Sequence, residues 1–271
     1  MNQFVASRFV ENIHHLALGV EPRDALRRTR ATHPVNIRFE AVKRTGRIPM
    51  EDVLRPIDRH DSCRHALLYS PQLRTATPVE VRFEDAARRF VPRRLSVTLP
   101  TLEDAEAAPS VQRVRYVSLL PGAAYDFSDT AAGMRGRVVR NGVPMRWARV
   151  EAALPTPPNT IVGRAHGDDR GEFLLLLSPT AGPFGDLPPE IPLRVTVYGP
   201  GVAPPAPDPD VDPLSDLPLQ SLASPDPLDP VALGETLPLG YVSRPATVRT
   251  INFTPGRIIT GQPTITQFDF T

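Results

Sequence analysis

The stretch Arg59-His60-Asp61-Ser62-Cys63-Arg64-His65 holds the side chains best suited to chemistry. Cysteine with histidine is a plausible soft metal pair, and on a strand Asp61, Cys63 and His65 would share one face. A closed four-ligand site needs more donors, and no second C-x-x-C or H-x-x-x-H completes the set. The expectation is a solvated turn leading into a strand at 66–70. His14 and His15 are adjacent, so on a strand they point to opposite faces and cannot easily chelate one ion. Asp208, Asp210 and Asp212 superficially match the start of a calcium loop, but Pro213 and Leu219 stand where an EF-hand needs Gly and Glu. There is no G-x-S-x-G elbow, P-loop, dinucleotide fingerprint or H-E-x-x-H helix. The sequence therefore predicts no catalytic, cofactor-binding or metal-binding residue, and a chain that is not an enzyme.

Composition narrows the partners. Net charge is +1, which gives no overall field toward nucleic acid or membrane. Lys43 is the single lysine among 31 basic residues. Arginine-rich coding alone accounts for that, although arginine also suits bidentate pairing at interfaces. The run Arg88-Arg89-Phe90-Val91-Pro92-Arg93-Arg94 is basic with one aromatic, but acids flank it. It reads as an exposed hairpin tip, or an interface for an acidic neighbour, better than as a nucleic-acid site. One cysteine excludes an internal disulfide. The first twenty residues lack the pattern of a signal peptide, and no run approaches 18 apolar residues. The expectation is cytoplasmic synthesis with no membrane insertion.

The elements that must carry these residues read as strands. Leu16, Leu18 and Val20 alternate, as do Val35, Ile37, Phe39 and Ala41, then Val79, Val81 and Phe83, and Leu95, Val97 and Leu99. Between the first two sets, one or two helical turns from Pro22 are expected. Residues 84–94 form a long bulged hairpin connection containing Pro92, and 101–115 read as a linker. A second strand-rich unit follows. Val138 lies on its first strand, Asn141-Gly142 makes a turn, and Trp147, Arg149 and Glu151 lie on the next strand. Asp168–Gly171 turn again, and 193–200 add a strand. From Gly199 to Pro238 there are eleven prolines, seven acidic residues and no basic residue. That composition predicts an extended segment, partly polyproline II, that does not order itself. Val248, Ile251, Phe253, Ile265, Phe268 and Phe270 then supply closing strands, in this unit or docked on a neighbour.

Residues 134–200 resemble the carboxypeptidase regulatory-like, transthyretin-type sandwich. The resemblance rests on Gly136-x-Val138, the following NG-VP-x-x-x-A-x-VEA, and the turn of Asp168, Gly171 and Phe173. The closing TVRTINFTPGRIIT is similar to that family's last strand. It implies an accessory β-sandwich without catalytic residues. RRFVPRRLSVTLP ahead of this module is similar to accessory proteins of extracellular contractile injection systems, the phage-tail-like particles.

The resulting fold expectation is all-β, with two β-sandwich modules, one Ig-like and one carboxypeptidase regulatory-like. Residues 1–100 form the N-terminal sandwich, 101–115 a linker, 116–198 the regulatory-like sandwich, 199–240 the Pro-rich excursion, and 241–271 closing or docking strands. The functional expectation is a non-enzymatic adaptor subunit at the cap, baseplate or another position of such a particle. It would act through sheath, tube, cap or baseplate proteins, need no cofactor, bind no nucleic acid, and be compatible with a homo-oligomer. The alternative is a carbohydrate- or surface-binding module, which would need an exposed aromatic platform around the single tryptophan, Trp147.

Overall fold

Period-two alternation of apolar residues favours sheets that each bury one face, and 33 prolines interrupt any long helix; the computed structural model is built almost entirely of strands. The structure describes residues 15–40, 48–60, 62–70, 73, 77–156, 160–178 and 189–271. Along the chain come β1 (Leu16–Asp24), β2 (Thr29–Arg30) and β3 (Asn36–Glu40). A single helical turn, α1 (Met50–Val53), leads to β4 (Leu54–Pro56), β5 (Asp58–Arg59) and β6 (His65–Leu68). The hairpin of β7 (Thr77–Glu84) and β8 (Arg93–Leu99) is followed by helix α2 (Leu102–Ala107), a 3-10 turn at Ser110–Arg113, and β9 (Val114–Leu119). The later half contains β10 (Gly133–Arg140), β11 (Val143–Pro144), β12 (Arg149–Ala153), β13 (Ile161–His166), β14 (Glu172–Leu176) and β15 (Ile191–Pro200). Then come β16 (Leu219–Ser221), α3 (Pro230–Leu233), β17 (Tyr241–Phe253), β18 (Ile258–Ile259), α4 (Pro263–Thr266) and β19 (Gln267–Asp269).

These strands make four sheets. In the first, β1 carries β6 and β2 along one side and β9, in parallel, along the other, with β5 beyond β6. The second runs β16-β8-β7-β3-β4, and the third β13-β12-β15-β17. The fourth centres on β10, with β14 and β11 on one side and the short parallel β18 and β19 on the other. One apolar cluster unites residues of the first two sheets, among them Leu18, Val81, Phe83, Leu95 and Leu119. A second unites the third and fourth, among them Met134, Val150, Val195, Phe253 and Phe268. Leu174 and Leu176 of β14 belong to the first cluster while Phe173 and Leu175 belong to the second. Alternate residues of that one strand therefore join the two cores. No helix among the described residues is long and apolar enough to cross a membrane.

Several local expectations change. No helical turn starts at Pro22. β1 runs on through it to Asp24 because β9 pairs with it from Gly19 to Asp24. The first turn after the strand is held by Asp24, whose carboxylate accepts from Leu26 N and Arg27 N at 2.9 Å each. The linker expected at 101–115 begins instead with α2, capped by the Thr101 hydroxyl accepting from Asp104 N at 3.1 Å. It ends in β9, so residues 114–119 belong to the first sheet rather than opening the second unit. Trp147 is not a strand residue: it has a φ of 61°, a left-handed conformation rare for so large a side chain, and β12 starts at Arg149. The Asn141-Gly142 turn has φ values of 53° and 77°, as a two-residue hairpin turn requires. β17 to β19 pair within this chain.

Candidate interaction surface

The reactive-looking residues that the structure describes are not assembled into a site. Cys63 sits in the turn between β5 and β6 with a φ of 58°, accepting from Arg59 Nη2 at 3.2 Å. His65 is buried on β6 with Nδ1 3.4 Å from the Ile57 carbonyl, and burial lowers its pKa. Asp61 and His14 lie outside the described residues, and His15 pairs with Glu106 at 3.5 Å. Among the described residues no group of three or more His, Cys, Asp and Glu side chains is arranged to hold a metal.

Three of the four arginines in the basic run at 88–94, all but Arg93, find carboxylates within the chain. Arg88 donates to Asp169 at 3.0 and 3.3 Å, Arg89 lies 3.7 Å from Asp85, and Arg94 binds Glu40 at 2.8 Å and also Glu80. Its acidic neighbours are therefore cross-strand residues and loops of the same molecule.

The Pro-rich segment departs furthest from expectation. β15 ends at Pro200 opposite Tyr241, the start of β17, and Gly201 N donates to Gly240 O at 2.9 Å. Residues 201–240 thus leave and rejoin one hairpin. Between those points they form an ordered strap across the second sheet. Arg82, 1% exposed, donates from Nη1 and Nη2 to the two Asp212 oxygens at 2.8 Å each, and Glu40 adds a second carboxylate at 3.1 Å. Burial opposes charge on both partners. Their mutual bonds and charge outweigh it, raising the Arg82 pKa and lowering that of Asp212. Arg146 pairs with Asp216 at 2.7 Å, and Arg164 with Glu235 at 3.0 Å.

Apolar side chains supply the rest of the docking. Leu217 and Leu214 pack on Trp147 and Val91. Leu222 and Ala232 enter the first core. Burying Leu222 alone contributes about 1.5–3 kcal/mol. β16 extends the second sheet in parallel beside β8, with Gln220 opposite Leu95. Composition suggested disorder because the segment is dense in proline and carries acidic residues with no basic ones. It orders because Asp212, Asp216 and Glu235 meet arginines of the sheets and because Leu214, Leu217 and Leu222 pack against the body of the protein.

A cationic cluster lies beneath α3. Arg93 Nη1 donates to Ser118 O at 2.8 Å and Ala232 O at 3.0 Å, and Nη2 to Val231 O at 2.6 Å. No carboxylate pairs with it among the described residues. Burial, then the charge of Arg149, brings its pKa down to about 9, which leaves it charged at neutral pH. His166 donates from Nε2 to Gly234 O at 3.0 Å. Burial, followed by the charges of Arg149 and Arg93, holds its pKa well below 6.5, so the ring is neutral. These donors satisfy the C-terminal carbonyls of α3, which Asp229 caps at its other end.

The strap leaves one end of the hairpin bare. Leu239 is fully exposed and Val202 is 86% exposed, on either side of the Gly201–Gly240 pair. Val242, paired with Gly199, is exposed beside them. Arg140 donates to the Pro200 carbonyl and so brings the Asn141-Gly142 turn, with exposed Val143, to the same end. Trp147 is 1% exposed beneath the strap and offers no aromatic platform. Nothing in the sequence distinguished Leu239 and Val202 from the other apolar residues of the segment. Only their position at the exit and re-entry of the strap exposes them. No family model, curated protein or solved structure matches the chain.

Proposed function

We propose that the chain is a non-enzymatic structural or adaptor subunit of a phage-tail-like contractile injection particle, working through protein–protein contacts. It is built as an Ig-like N-terminal sandwich and a carboxypeptidase regulatory-like sandwich, clasped by residues 201–240, and it is assembled in the cytoplasm. The observation carrying this reading is the apolar end formed by Leu239, Val202, Val242 and Val143. Single exposed apolar residues are ordinary, whereas a group of them at one end of an ordered hairpin suits a protein contact. The particle itself is inferred from the sequence resemblance, and the glycan-binding alternative loses support from the burial of Trp147.

Tagged protein is to be purified from its native cell and examined by electron microscopy and mass spectrometry, with L239D as the companion variant. Recovery of sheathed particles with sheath and tube proteins, lost or much reduced for a folded L239D, is the expected result. A lone protein without particle components overturns the proposal.

A further inference from the structure

Every other sheet edge among the described residues is short or covered. β2, β4, β5, β11, β16, β18 and β19 are two or three residues long, β9 is flanked by α3, and the edges of β13 and β14 face each other, joined by the Gly167–Phe173 bridge and by Ser178 N donating to Val162 O. β17 differs: it has 13 residues and, among the described residues, pairs on one side only, with β15. Its first half cannot template another strand. Residues 244–247 bulge where the register shifts opposite Val197, Pro245 has no N–H, and Thr247 folds inward, its hydroxyl donating to Val197 O at 2.9 Å. The stretch Val248–Phe253 remains, about 20 Å of edge at the usual strand rise.

This edge lines a groove of about 620 Å³ whose other wall is residues 257–265, with Ile258, Ile259 and Ile265 along it. Its charge has one sign. Residues 236–268 contain Arg244, Arg249 and Arg257 and no acidic residue. Arg249 lies 4.8 Å from the centre of the Phe268 ring and donates to Thr264 O and Gln267 O at 3.1 and 2.9 Å. Neither it, Arg244 nor Arg257 has a carboxylate within ion-pair distance among the described residues, in a protein whose other arginines repeatedly find one. The one acid at the groove is Glu190, at its end, accepting from Asn252 at 2.8 Å.

We infer that the Val248–Phe253 edge accepts an extended acidic segment of a partner polypeptide as an added strand. The open ladder supplies backbone pairing, the isoleucines take alternate apolar side chains, and Arg249 and Arg257 take the acidic ones. Antiparallel addition of a second copy's β17 is disfavoured, because it would bring like-charged arginines together. The inference uses only this edge and stands apart from the apolar end and from the particle assignment.

The test uses purified full-length protein and a fluorescein-labelled octapeptide of alternating Glu and Val, read by fluorescence anisotropy. Saturable binding is expected, weakened at least tenfold by R257E or R249E and little changed by R28E in the turn between β1 and β2. Arg257 makes no side-chain hydrogen bond or ion pair among the described residues, so R257E keeps the test valid if R249E, which uncovers Phe268, unfolds. The same peptide N-methylated at alternate residues is expected not to bind, and amide exchange in 248–253 to slow with the parent peptide. Absence of saturable binding overturns the inference. So does equal binding of the N-methylated peptide, or equal competition by a single-stranded oligonucleotide, since either reduces the site to general polyanion attraction.

Discussion

Arg82 and Asp212 are 130 positions apart and share two hydrogen bonds in the interior. Removing one partner of such a pair leaves the other charge stranded, which typically costs about 3–5 kcal/mol. D212A is therefore expected to destabilise the chain by that order in urea unfolding, with Glu40 softening the loss. His166 sets a pH dependence. Its folded pKa lies well below 6.5 through burial and then the charges of Arg149 and Arg93. As pH falls below about 6.5 the unfolded chain takes up this proton first, so the stability present above that pH is progressively lost. His65 is shifted in the same direction by burial. Tm is expected to drop between pH 7 and pH 5, and H166Q, which can still donate to Gly234 O, to show a smaller drop. At the Asp168–Gly171 turn, Gly171 has a φ of 72°, and a Cβ there would approach the Val138 carbonyl oxygen to 2.5 Å. G171A is expected to cost about 1–3 kcal/mol in the same unfolding assay.

At the scale of elements the strap is the decisive feature. Its two ends are already paired, Pro200 with Tyr241, so residues 202–239 can be exchanged for a tight turn without opening the hairpin. Doing so uncovers Trp147 and Val91 and leaves Arg82 with Glu40 as its remaining carboxylate. Since Trp147 is the only tryptophan, its emission reports strap docking directly. A red shift is expected for the strapless variant, while unchanged emission would show that the indole is buried by the sheets alone. The hairpin of β7 and β8, the Asn141-Gly142 turn and the presence of a strand at Val248–Phe253 were legible because each depends on neighbours in sequence. The extension of β1 through Pro22 and the left-handed Trp147 were not. The first depends on β9, more than ninety residues away. The second accompanies a Trp147 carbonyl that accepts from Tyr241 at 2.9 Å and an indole packed on Leu217.

For the whole molecule, β14 shares its alternate residues between two cores, and the strap runs from the hairpin of one to the sheet edge of the other. Both links predict cooperative behaviour. The intact chain is expected to unfold in one transition followed by circular dichroism, and the strapless variant in two or in a broader one. The sequence by itself determined the strand-rich class, the positions of most strands, and the absence of recognisable catalytic motifs, because periodicity, turn residues and motif spacing are local properties. It did not determine the fate of the acidic, Pro-rich segment or of the basic run at 88–94. Taken singly, each looks like a solvated surface awaiting an oppositely charged partner. Only the tertiary structure brings Asp212 to Arg82, Asp216 to Arg146 and Asp169 to Arg88. The reason is physical: an isolated charge gains little in water, and whether it is buried depends on which distant group the fold places opposite it.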